Sequence, residues 1–332
     1  MAEPPRLLTQ NPYPGLRPYT EAETHLFFGR EKSTDEVLDR LRHSRFVAVL
    51  GRSGSGKSSL IAAGVVPMLD GTLPTEYGDT WRVAAMRPGS DPIGNLARAL
   101  ASVQFAEGSD EVAEHLRASA NPGPHKQREL DLALMEATLR RSAGGVASVV
   151  ERIGLGKRDN VLVLVDQFEE LFRYSDHCAD RREDDAAAFV RLLVEAVNTP
   201  KIGIYALVTM RSDFLGDCVR FPGLADTINR GQYLVPRLDR MQLHAAMTGP
   251  AKVAGVVLEP RLVKQMLADV QGQAEQLPLF QHALMRAMTA GATTAERARS
   301  ATATIPWRAA FSARFATMPR RRGQKSRRAV HL

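Results

Sequence analysis

The sequence predicts an α/β fold, three layers built around a parallel sheet, followed by a small all-helical part and a basic tail of low order. Three observations carry this. Apolar runs rich in Val, Ile and Leu recur at Phe46–Leu50, Val161–Val165 and Ile202–Thr209, without the alternation of a half-exposed strand. Helical patterns fill the spaces between them. A glycine-rich loop, Gly51-Arg-Ser-Gly-Ser-Gly56-Lys57-Ser58, joins the first run directly to a helix.

Taken in order, residues 1–26 read as an extended N-terminal segment and residues 27–236 as the α/β core. Gly29-Arg30 on its own reads as a helix-start turn. After Phe46–Leu50 and the loop comes a helix from Ser58 to about Met68. Trp81–Met86 and Tyr233–Val235 are weaker candidates for two more strands. Asp91-Pro92, with Leu96 and Leu100 behind it, has the cap and first-turn proline of a helix start. Residues 104–160 are polar and broken by Asn121-Pro-Gly-Pro124 and Gly144-Gly145, so they read as a variable insertion with one helix near Leu130–Arg141. Asp184–Val197 places Phe189, Leu192, Leu193 and Val197 on one helical face. Past Pro236, the stretches Leu238–Thr248, Pro260–Val270 and Leu277–Met288 read as helices with no strand among them, a lid-type domain over 237–288. Residues 289–332 lose periodicity in favour of Ala, Thr and Arg, and little packed structure is expected there.

The loop has the P-loop spacing, and it stands where that chemistry needs it, between a buried strand and a helix. Its glycines let successive N–H groups turn inward onto phosphate oxygens. Gly51, Ser53, Gly54, Ser55, Gly56, Lys57, Ser58 and Ser59 are therefore the candidate nucleotide-binding residues. Lys57 would reach the β- and γ-phosphates and the Ser58 hydroxyl would enter the shell of a Mg²⁺ ion. Asp166 closes the run Val161–Val165 and is the candidate second metal-site residue, at the crevice where α/β sheets bind ligands. Glu169 or Glu170 would orient the attacking water, and the residues do not choose between them. Arg211, at the end of the next run, suits a γ-phosphate because guanidinium binds phosphate through a fixed fork. The alternative is a surface arginine paired with Asp213. The Asn-Lys-x-Asp pattern that reads guanine is missing from the sequence, so ATP and ADP are the expected nucleotides.

Composition narrows the setting. At 332 residues, 44% apolar and 24% charged, the chain has ample material for a core. Cys178 and Cys218 have no ligand spacing, the N-terminus lacks a signal-peptide core, and no run approaches a membrane span, so a cytoplasmic protein is expected. The net charge is +7, yet ten Lys/Arg and no acid lie between Arg297 and Leu332, which leaves residues 1–296 at −3. Nucleic acid is on that basis an unlikely partner.

The order of motifs resembles the STAND class of P-loop ATPases, specifically the bacterial novel STAND NTPases, over roughly Asn11 to Met285. The resemblance lies in Asn11-Pro-Tyr-Pro-Gly15-Leu-Arg-Pro-Tyr19 followed by Leu26-Phe-Phe-Gly29-Arg30-Glu31, then the P-loop and Leu164-Val-Asp166-Gln-Phe-Glu-Glu170. Thr209-Met-Arg211-Ser-Asp-Phe214 and Gln276-Leu-Pro278-Leu-Phe-Gln-His-Ala-Leu284 complete it. It implies a slowly hydrolysing, Mg²⁺-dependent switch, closed with ADP and opened by ATP, which self-associates and is joined to an effector or a repeat array. It implies that Gly29 and Arg30 contact adenine, that Arg211 is a sensor, and that Pro278 packs on the base or sugar. Gln167 departs from the pattern by separating Asp166 from the next acid. The tail past Leu284-Met-Arg286 departs further, and it is expected to be truncated or read out of frame. A non-catalytic scaffold or an AAA+-like ATPase working on nucleic acid are the competing readings.

Overall fold

The computed structural model describes residues 11–106, 124–154, 158–175, 181–200, 202–270, 277–295 and 304–305. Five strands form one parallel sheet: β1 (Phe46–Gly51), β2 (Thr80–Met86), β3 (Asp159–Val165), β4 (Ile204–Arg211) and β5 (Gln232–Leu234). Their order is β2-β3-β4-β1-β5, so β4 stands between the strand that feeds the glycine loop and the strand that ends at Asp166. Each central strand is buried on both faces, which is why its sequence is continuously apolar. Ala48, Val163 and Val208 belong to the apolar layer on one face of the sheet, while Val49, Leu162 and Leu207 belong to the other.

The second of those layers is closed by α1 (Glu31–His43), whose Val37, Leu38 and Leu41 are buried, and by the helical stretch after the loop. That stretch, α2, starts as an α-turn at Lys57–Ser59, widens to a π-helix over Leu60–Val65 and tightens to a 3₁₀ turn over Val66–Met68. Pro67 lacks the N–H an α-helical bond to Ala63 would use, and Val66 N–H instead reaches back to the Ile61 carbonyl. The first layer is closed by α3 (Pro92–Ala106), α4 (Pro124–Arg141), α5 (Gly145–Ile153), α6 (Glu170–Ser175), α7 (Arg181–Asn198) and α8 (Leu224–Arg230). Asp91 caps α3 as its sequence predicts, accepting the Gly94 N–H at 3.0 Å.

Four readings change. Residues 104–160, expected to be a variable insertion with one helix, carry a second helix as well. α4 and α5 both belong to the core, through Met135, Leu139, Val146, Val149 and Val150. Gly144-Gly145, read as a break, is a tight corner: a Cβ on Gly145 would lie 2.8 Å from the Leu139 Cα, so only glycine lets α5 fold back on α4. Residues 107–123 lie outside the described residues. The N-terminal segment is not simply extended either. Glu21–Leu26 forms a 3₁₀ helix, and Tyr13 is 1% exposed in the core of the helices that follow the sheet. Those helices are α9 (Arg240–Val253), α10 (Pro260–Val270) and α11 (Leu277–Ala295), the last running seven residues past Met288. A strand pair is present after Pro236, where β6 (Val257–Leu258) lies parallel to β7 (Thr304–Ile305). The expected low order of the tail falls on 296–303 and 306–332, outside the described residues, as do residues 1–10. Among the described residues no helix is long and apolar enough to cross a membrane.

Cys218 gives a simple check of the packing. Its thiol lies 3.7 Å from Met210 Sδ, and burial pushes its pKa up to about 12. Thiolate is the reacting form. In the folded chain Cys218 is expected to resist a thiol reagent at pH 8 that labels it readily in denaturant, as read by peptide mapping. Equal labelling rates would contradict this packing.

Candidate nucleotide-binding site

The site grows from the carboxyl ends of β1, β3 and β4. The loop after β1 turns at Gly54 (φ 73°) and Gly56 (φ 86°), left-handed positions that glycine takes without strain. A Cβ on Gly56 would meet nothing within 4 Å, so the loop opens there onto free space rather than onto protein. Lys57 Nζ donates to the carbonyls of Gly51 at 2.8 Å and Arg52 at 3.0 Å, folding the ammonium over its own loop. Burial lowers the Lys57 pKa, and the charges of Glu169 and Asp166 partly oppose that shift.

Asp166 is the hub. Its Oδ1 accepts the hydroxyls of Ser58 and Thr209, both at 2.7 Å, and its Oδ2 accepts from Arg87. Ser58 spends its hydrogen on the carboxylate and keeps its lone pairs, which suits a hard cation shared with nucleotide phosphates and water. The oxygen donor set therefore fits Mg²⁺. Among the described residues no cluster of three or more His, Cys, Asp or Glu forms a dedicated metal cage.

Gln167 then enters the left-handed region at φ 62°, the one such non-glycine residue among those described, and its N–H reaches the Thr209 hydroxyl at 3.0 Å. That turn decides where the next three side chains go. Phe168 is fully buried in the core, while Glu169, 7% exposed, returns to the cavity and accepts the Arg211 N–H at 3.3 Å. Glu170 starts α6 and points elsewhere, accepting the Gly89 N–H at 2.9 Å. The two acids that the sequence leaves equivalent are thus in different places.

Arg211 lines the cavity and also bonds Asp213 at 2.5 Å. Arg30, 4% exposed, donates to the carbonyls of Pro236 at 2.8 Å and Ser55 at 3.0 Å, tying the loop to the chain that leaves β5. Burial lowers its pKa to about 10, so it stays a cation at neutral pH. Pro278 lines the same cavity from α11. Gly29 does not line it: its backbone (φ 84°) packs against the start of α9, and a Cβ there would stand 2.3 Å from the Gln242 carbonyl oxygen. Gly51 and Ser55, though part of the loop, do not line the cavity either. The cavity measures about 390 Å³ and is walled by the sheet on one side and by α11 and the N-terminal segment on the other.

Three contributors escaped the sequence reading. Thr209 sits inside the apolar run of β4 and only the strand order brings it between the loop and Asp166. Arg87 follows β2 and gains its position from the β2–β3 register. Tyr19 closes the cavity, its N–H on Ser59 Oγ at 3.1 Å and its hydroxyl on Gln281 at 3.3 Å.

Solved structures share this architecture at low identity. The Aeropyrum pernix ORC2 protein, in its ADPNP and ADP complexes, matches with a TM-score of 0.50 at 16% identity, over 84% of this chain and 64% of that one. The ORC1 protein of the same organism, in complex with DNA, matches with a TM-score of 0.50 at 15% identity, over 87% of this chain and 65% of that one. The chain thus spans a little under two thirds of either protein, and the likeness shows the shared α/β fold alone. No curated protein matches the sequence. A family profile described as Novel STAND NTPase 1 matches residues 12–304, nearly the whole described chain. With the family match running over its sheet, its glycine loop and its Ser58–Asp166 contact, the chain belongs to the novel STAND NTPase 1 family.

Proposed function

We propose that the chain is an ATP/ADP switch that hydrolyses ATP slowly. One observation carries the reading. The phosphate loop, Glu169 and Arg211 face a cavity whose opposite wall is made by α11 and by the N-terminal segment packed on it. A ligand in that cavity touches both walls, so its γ-phosphate state can bias how they sit together. Lys57 would release its own loop carbonyls for phosphate oxygens. Ser58, oriented by Asp166, would present its oxygen to Mg²⁺, which when bound offsets charge on the β- and γ-phosphates. Glu169 would hold the attacking water, and its contact with the Arg211 N–H keeps it in place. Arg211 would read the γ-phosphate by leaving Asp213, an exposed pair of small net worth.

Self-association in the ATP form follows from the same reading. Light scattering should give a higher mass with a non-hydrolysable ATP analogue than with ADP, and equal masses would count against the switch. Adenine nucleotides and reducing conditions coincide in the cytoplasm, which suits this activity.

A second reading, an ATPase acting on DNA, is favoured by the neighbour solved in complex with DNA and by the ten basic residues after Glu296. The charge argument against nucleic acid has no support from these comparisons. Salt-dependent DNA binding that disappears on deleting residues 320–328 would favour this reading over the first.

A further inference from the structure

Arg87 stands one residue beyond β2, next to Asp166. The Asp166 N–H donates to the Met86 carbonyl at 2.9 Å, just past Met86 and Val165, the last pair of the parallel register. Arg87 Nε and Nη2 donate to Asp166 Oδ2 at 3.3 and 3.1 Å. Since Oδ1 is occupied by two hydroxyls, Oδ2 is the oxygen left to face the hydration shell of a metal, and a guanidinium holds it.

The arm that carries Arg87 is held from both sides. Glu170 Oε2 accepts the Gly89 N–H at 2.9 Å, and Asn95 Nδ2 donates to the Pro88 carbonyl at 2.8 Å. Gly89 is left-handed, at φ 57°, so the turn is a defined one. Arg87 also lines the cavity that Lys57 faces. The Arg87 side chain is 53% exposed, and a half-exposed ion pair contributes little net stability, so little is lost when it opens.

We propose that Arg87 is an internal cation standing in for Mg²⁺ at Asp166, so that ADP is held without the metal, and that Glu170 is the positioning residue for this arm. The proposal rests on the nucleotide-switch reading. The guanidinium and the metal's water shell compete for one carboxylate oxygen. When the shell takes Oδ2, Arg87 is free to turn toward the phosphates in the cavity it already lines. Without the metal, Arg87 neutralises the carboxylate, which would otherwise repel the diphosphate.

Calorimetric titration of ADP into the full chain, in EDTA and in excess Mg²⁺, tests this. The parent should bind ADP almost equally in both media. Arg87→Ala should lose about ten-fold in EDTA, the size of one charge-assisted hydrogen bond, and almost nothing in Mg²⁺. Glu170→Ala should show the same asymmetry more weakly, whereas Glu170→Gln, which keeps an acceptor for Gly89, should match the parent. Equal losses for Arg87→Ala in both media, or a parent that binds ADP only with Mg²⁺, would overturn the proposal. A parent silent in both media would instead remove the nucleotide reading beneath it, and the proposal with it.

Discussion

Replacing Glu169 by Gln is expected to slow ATP turnover by about 10²–10⁴-fold while leaving ADP affinity close to the parent's. The amide has the size of the carboxylate and can still accept the Arg211 N–H, so the local geometry should survive. What is lost is the basic oxygen that would take a proton from the attacking water. Glu170→Gln should leave turnover near the parent's, because that carboxylate is engaged with the Gly89 N–H rather than with the cavity. Phosphate release at saturating ATP measures both. Should Glu170→Gln prove the slow variant and Glu169→Gln the active one, the assignment is reversed.

Gly29→Ala is expected to destabilise the chain by about 2–5 kcal/mol, combining left-handed backbone strain with overpacking. Gly29 lies at φ 84°, and an added Cβ would stand 2.3 Å from the Gln242 carbonyl oxygen and 3.1 Å from its carbon. That oxygen belongs to the helix backbone and cannot rotate away. Gln242 is moreover locked into the start of α9 by a reciprocal pair with Asp239, at 2.8 and 2.9 Å. Relief would require α9 to move off the α/β core, opening the cavity that both sides enclose. The thermal midpoint should fall by about 5–15 °C. Gly216→Ala is the control: no atom lies within 4 Å of its Cβ, and a change within about 0.5 kcal/mol is expected. Matching melting curves for the two variants would refute the close approach at Gly29.

The sheet was largely legible because its strands are buried on both faces and must be continuously apolar. Phe46–Leu50 and Val161–Val165 agree with β1 and β3 to within two residues at either end. The strand order was not legible, since no local pattern says that β4 separates β1 from β3. Thr209 was therefore read as one more strand residue, although its hydroxyl links Asp166 to the Gln167 N–H. The Glu169/Glu170 ambiguity has a similar origin. The two side chains are parted in space by a left-handed backbone at Gln167, and glutamine carries no signal for that conformation. Gly144-Gly145 misled in the opposite direction, because glycine pairs mark breaks more often than tight helix corners. Pro278 and Arg30 were found only through family resemblance. Chemically they are a helix-start proline and a lone arginine, and their convergence on one cavity is a product of tertiary packing.

The measurement that bears most directly on the whole account is calorimetric titration of Mg-ADP into the folded chain and into Lys57→Ala. One nucleotide should bind per parent chain. The variant, deprived of an ammonium contact to phosphate, should bind about 10–100-fold more weakly. A well-folded parent that produces no heat with millimolar Mg-ADP or Mg-ATP, or a Lys57→Ala variant that binds as tightly as the parent, would contradict it.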